Sequence, residues 1–203
     1  MMPLHRISEN KPPIIQELDR LGFAVFSGSR GYDLNIIGAR NPCTEANKFD
    51  DFLHVCYVLN GKWVEMIYAC TTDPGSHWLN HPMMVDGTAI LCHPQQIRGA
   101  FHVGLHRGKY KCLRQRPGIK IKCWRDNNRD LVLDIEQGQE FDANYIQIHK
   151  AGRSSINVNK WSAGCTVIQN ETEYNHFMGL VHKQIDNNYG STFTYTIVKG
   201  IFL

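Results

Sequence analysis

The residues in this chain best suited to chemistry are His149 and Cys165, joined by the stretch HKAGRSSINVNKWSAGC. In YIQIH the strand period of two sets Ile146 and Ile148 on one face and Tyr145, Gln147 and His149 on the other. The apolar pair is the core candidate, so His149 is expected to face a surface or cleft. Gly152, Ser154, Ser155, Asn157 and Asn159 then read as loop, and the chain re-enters a strand at Cys165-Thr166-Val167-Ile168. If the two strands are neighbours, imidazole and thiol come within the hydrogen-bond reach that nucleophilic catalysis needs. A free thiol has a pKa of ~8.5, and a nearby imidazolium lowers it. The thiolate would attack a carbonyl while His149 moves the proton. Gly164 would let substrate approach closely, amides at Gly164 and Cys165 would hold the oxyanion, and Ser162 would fix the turn.

A His–x15–Cys spacing has little weight alone, because ten histidines and seven cysteines give many accidental pairs. The flanking Ser162-Ala-Gly-Cys adds to it. An odd cysteine count without a CxxC pair argues against a disulfide scaffold and a closed zinc knuckle. Cys56, Cys70 and Cys92 sit in apolar runs and read as buried thiols.

The elements that must position this pair are mostly short strands. PPIIQELDRLGF predicts a helix over 13–21, ending at Gly22. FAVF and YDLNIIGA read as strands, and FLHVCYVL and KWVEMIYACT as a hairpin across Asn60-Gly61. TTDPGSHWLNHPM is a turn-rich insertion. TAILC, GAFHVGLH, IKIKCW, LVLDI, NYIQIH and TVIQ read as further strands. ETEYNHFMGLVHKQIDNN reads as a helix with Tyr174, Phe177, Met178 and Val181 on one stripe, and FTYTIV as the last strand. The class is mainly β or α+β. Residues 1–45 form an N-terminal helix-strand lobe, separate or integral, and 46–203 the β-rich catalytic domain.

With 203 residues and 42% hydrophobic content the chain can build a core, and a net charge of +3 fits an acidic polymer without requiring one. The segment 106–129 has nine Lys or Arg and one acid. It suits wall carboxylates or anionic polymers, and nucleic acid less well, because the rest of the chain is near balance. No apolar run is long enough to span a bilayer, so no membrane insertion is expected.

A strand-borne histidine, a polar loop of this length and then S-x-G-C entering a strand resemble the L,D-transpeptidase catalytic domain, whose signature runs H-G-T, a gap, then S-H-G-C-I-R. His149, Ser162, Gly164 and Cys165 occupy the matching positions; Lys150-Ala151 stands for Gly-Thr, Ala163 for the second histidine and Thr166-Val167 for Ile-Arg. The resemblance implies an L,D-transpeptidase-like β-rich fold acting on peptidoglycan stem peptides through a cysteine thioester, without metal or organic cofactor. The expected catalytic set is Cys165, His149, Ser162 and Gly164, with Trp161, Lys150, His102 and His106 as substrate contacts. The opening MMPLHRISENKPPIIQELDR lacks the apolar run of a secretion signal. That suits a bacteriophage lytic enzyme, made in the cytoplasm and acting on the wall after lysis or from the virion beside other phage proteins, with hydrolysis favoured over synthesis. Three alternatives stand: an inactive virion structural or wall-binding protein on the same scaffold, a basic nucleic-acid-binding module, and a zinc muramoyl-L-alanine amidase, whose H-A-G-x-S stretch HKAGRSS resembles.

Overall fold

The structure, a computed structural model, describes residues 3–153 and 155–203; Ser154, one of the loop residues named above, lies outside the described residues with Met1 and Met2. In chain order the elements are β1 (Leu4–Ser8), α1 (Pro13–Arg20), β2 (Asn35–Arg40), β3 (Asp51–Leu59), β4 (Lys62–Thr71), α2 (Ser76–Asn80), β5 (Thr88–Leu91) and β6 (Gln95–His106). They continue with β7 (Tyr110–Gln115), β8 (Ile121–Asp126), β9 (Phe141–Ala143), β10 (Gln147–Lys150), β11 (Thr166–Ile168), α3 (Glu171–Asp186) and β12 (Thr192–Lys199).

The protein is mainly β, and its centre is a closed barrel. β4, β11, β10, β7, β6, β12, β2 and β3 are neighbours in that order, and β3 pairs back to β4. Closure removes the free edges that an open sheet would expose. β1 lies antiparallel to the first half of β4, Leu4 opposite Ile67 and Ser8 opposite Trp63, while β11 takes up Cys70 and Thr71 further along. β5, β8 and β9 form a separate three-stranded sheet.

The hairpin at Asn60-Gly61 forms as its residues dictate. Asn60 at φ 52° and Gly61 at φ 77° both occupy the left-handed region, giving a two-residue turn whose twist matches the strands. β2 lies between β12 and β3, so residues 35–40 belong to the barrel wall. α1 buries Ile14, Ile15 and Leu18 against Ile37, Cys56 and Trp63, on the face of β2 opposite Ile36. The predicted stripe of α3 is buried in full: Tyr174, Phe177, Met178 and Val181 join the main core with Tyr68. Asn170 caps that helix, its side-chain oxygen accepting from the amides of Thr172 and Glu173.

Two expected strands are not strands. In FAVF, the amide of Ala24 donates to the side chain of Gln96, and the amide of Phe26 to that of Asn35, so side chains take the bonds a ladder would have supplied. In LVLDI, Asx turns at Asn128 and Asp130 hold the segment as loop, with one isolated bridge from Val132 to Glu45. β1, β7 and β9 form where no strand was expected.

A buried polar cluster ties the turn after β4 to the barrel. Arg40, fully buried, donates to the carbonyl of Leu91 at 2.6 Å and pairs with Asp73 at 2.8 Å. Asp51 accepts from the amide and hydroxyl of Thr72. Burial, reinforced by the neighbouring Asp73 charge, pushes the Asp51 carboxyl up to about 7.

Candidate functional site

β10 and β11 are parallel neighbours, with Ile148 opposite Thr166 and His149 opposite Val167. One step back, Cys165 stands beside Gln147, whose backbone N–H favours the thiolate form of the Cys165 sulfur. His149 lies two residues further along β10 on that same face. Strand spacing and rise put the two Cα atoms roughly 8 Å apart, close enough for the side chains to lean together. Among the described residues no direct hydrogen bond joins imidazole and thiol.

The SAGC turn is fixed by its own side chain. Ser162 is fully buried; its hydroxyl donates to the carbonyl of Cys165 at 2.7 Å and accepts from the amide of Gly164 at 3.1 Å. Its carbonyl accepts from the amide of Gly75 at 2.9 Å, which docks the insertion after β4 against the site. Gly164 has φ +117°, and a Cβ there would stand 2.7 Å from the Ala89 carbonyl oxygen. Two expectations are corrected here. Gly164 makes room for β5 rather than for substrate, and its amide is already committed to Ser162, so it is no free oxyanion donor.

His149 was expected to face outward, and it does not: it is 2% exposed. The ring of His106 lies on it with centroids 4.4 Å apart, and Tyr110 stacks on His106 in turn at 5.1 Å. Parity identified the face correctly; what covers that face comes from a strand two places away. His149 Nδ1 meets the Lys150 carbonyl at 3.0 Å. A carbonyl only accepts, so Nδ1 carries the proton and Nε2 keeps its lone pair, the tautomer a general base requires.

Burial sets the charge state. Desolvation, aided by the His106 and Arg107 charges, outweighs the bond to Lys150 and brings the His149 imidazole down to about 3. Desolvation also raises the Cys165 thiol to about 11, against the lowering effects of the Gln147 amide and Arg107. The resting pair is therefore neutral thiol and neutral imidazole. The expected imidazolium-stabilised thiolate is corrected: deprotonation must accompany attack rather than precede it.

Cys165 opens onto a groove of about 340 Å³, whose walls include Trp78, Met83, Met84, Ala89, Tyr145 and Ile146. Arg125 is the one charged side chain among its described lining residues. Asn144, Tyr145 and Ile146 also border a second cavity of about 400 Å³, where His102, Arg114 and Arg116 gather. Neither arginine has an acidic partner within ion-pair distance among the described residues, and His102 Nδ1 is buried without a hydrogen bond.

The other predicted contacts divide. His102 borders the second cavity. His106 does not line either cavity; it donates through Nδ1 to Gln147 Oε1 at 2.8 Å and covers His149. Lys150 is not in the groove: it pairs with Glu171 and sits 5.1 Å from the Tyr110 ring centre. Trp161, 42% exposed, packs on Gly152 and lines a shallow depression with His77 and His81, while Trp78 takes the place expected of it in the groove. Trp78, Met83 and Met84 come from α2 and the loop after it, and Arg125 from β8, all distant in sequence from Cys165, so the stretch around Cys165 held no signal for them. Tyr145 and Gln147 share parity with His149, and that signal pointed to them. Among the described residues no group of three or more His, Cys, Asp or Glu is placed to hold a metal.

Comparison of the chain with protein-family models, with curated proteins and with solved structures found no match.

Proposed function

We propose that the protein is a cysteine-dependent enzyme of L,D-transpeptidase type that acts on peptidoglycan stem peptides, by hydrolysis rather than cross-link synthesis. The observation that carries this reading is the parallel register of β10 and β11. It sets His149 and Cys165 on one face, Cys165 open to the groove and His149 behind it in the base-competent tautomer. In this mechanism the peptide carbonyl settles over Cys165 and closes the groove to water. His149 Nε2 takes the thiol proton as the sulfur attacks, and the same proton passes to the departing amine. Water then resolves the thioester with His149 again as base. The Lys150 carbonyl is the orienting third group, and Ser162 holds the turn that presents the sulfur. The amides of Ala163 and Cys165 remain for the oxyanion. The cavity with Arg114, Arg116 and His102 receives the acidic remainder of the peptide.

The raised Cys165 thiol favours a second reading, an inactive wall-binding protein on the same scaffold. Incubating purified wall fragments with wild type and Cys165→Ala, with products read by mass spectrometry, separates the two. New fragments made only by wild type support the enzyme. Identical product lists, with both proteins sedimenting with wall, support the binder.

A further inference from the structure

Arg125 belongs to β8, directly opposite Ala89 of β5 in an antiparallel pair, which sets the two side chains on one face. That face meets the SAGC turn: a Cβ on Gly164 would lie 3.1 Å from the Ala89 Cβ. Arg125 and the turn that bears Cys165 therefore border the same groove. The groove around Arg125 is mostly apolar, with Thr88, Asn144 and Tyr145 as its uncharged polar residues. Trp78, Met83, Met84 and Ile146 provide no counter-charge. Its one hydrogen bond, from Nη1, goes to the Gly87 carbonyl at 3.3 Å, and Nε is buried without a partner. The nearest aromatic ring, Phe141, is 5.9 Å away. No carboxylate reaches it within ion-pair distance among the described residues. A buried guanidinium nitrogen without a partner is costly, and a forked cation in an apolar wall suits a bidentate anion.

We infer that Arg125 is the specificity-determining residue of the Cys165 groove and binds a carboxylate carried by the acyl substrate next to the bond attacked. This rests on the reading of Cys165 as the nucleophile. The substrate class is a peptide with a free carboxylate beside the scissile carbonyl, and peptides amidated at that position are selected against.

Two small alkylating agents of like shape test this without any wall substrate. Iodoacetate carries the carboxylate and iodoacetamide does not; in both cases the Cys165 sulfur displaces iodide. Labelling of folded protein at pH 9 is read at the Cys165 peptide by mass spectrometry, and the ratio of the two rates is compared between variants. Arg125→Gln is expected to lower the iodoacetate-to-iodoacetamide ratio about tenfold, while Arg125→Lys keeps it within about threefold of wild type. Iodoacetamide alone reports whether the groove survives each substitution, and Arg125→Lys keeps the test open if Arg125→Gln disturbs the loop at Gly87. A ratio unchanged in Arg125→Gln overturns the assignment while leaving Cys165 as nucleophile. Absence of labelling at Cys165 by either reagent overturns both.

Discussion

Gly164 and Ala89 touch so closely that no side chain fits between them: a Cβ on Gly164 would come within 2.7 Å of the Ala89 carbonyl oxygen. The contact joins the small sheet to the turn that presents the sulfur. Gly164→Ala therefore meets both a left-handed backbone and a backbone clash, and is expected to cost about 2 kcal/mol or more of unfolding free energy in urea. A substitution neutral to stability would refute the contact.

Ser162→Ala removes the hydroxyl that bridges Gly164 and Cys165. The orphaned amide and carbonyl are expected to cost about 1–3 kcal/mol, and the loosened turn to lower kcat with little change in KM. Steady-state kinetics on wall fragments decide it; an effect confined to KM would point to substrate contact instead.

The pH dependence of Cys165 follows from a thiol raised to about 11. Its alkylation rate by iodoacetamide is expected to climb about tenfold per pH unit from 7 to 10. A plateau below pH 8 would reveal an ion pair at rest and remove the concerted step.

His149 also leaves a signature in stability. Its folded pKa, about 3, is depressed below the ordinary 6.5. As pH falls below 6.5 the unfolded chain binds a proton that the folded chain refuses, so stability declines. Asp51, raised to about 7, and Asp126, raised to about 6, act in the opposite sense: their contribution is present at low pH and lost as pH rises. Comparison with His149→Gln isolates the histidine. The cost of that substitution should shrink by on the order of 3 kcal/mol between pH 6.5 and pH 4, measured by denaturant titration at each pH.

Arg114→Gln and Arg116→Gln should raise KM for acidic wall peptides without lowering kcat, and the effect should fade as salt screens the cavity. Equal KM at low and high salt would exclude an electrostatic role.

Local chemistry made the hairpin, α1 and the buried stripe of α3 readable, because each rests on residues within a few positions of one another. That the strand bearing His149 lies beside the strand entered at Cys165 was readable too, since a loop of small polar residues joins them. What covers a strand face was not. Parity marked His149 as pointing away from Ile148, yet His106 arrives from another part of the chain and buries it. The same limit exchanged Trp161 for Trp78 and hid Arg125, whose place depends on β8 meeting β5. FAVF failed as a strand for a related reason: Gln96, distant in sequence, and Asn35, nine residues on from Phe26, take its amides.

The ring of strands is unevenly sewn. β3 and β4 run together for nine consecutive residue pairs, whereas β11 pairs with β4 at Val167 and Ile168, continued by one bond from the Gln169 amide to the Ala69 carbonyl, and β10 with β7 at Gln147 and Ile148, continued by one from the Gln115 amide to the Ile146 carbonyl. The segment bearing the sulfur is thus also the narrowest stitch in the hoop, and amide deuteration should reach it well before the hairpin. An occupant seated in the groove would clasp both sides of that stitch, so protection of β10 and β11 from exchange becomes a way to detect binding before any product forms.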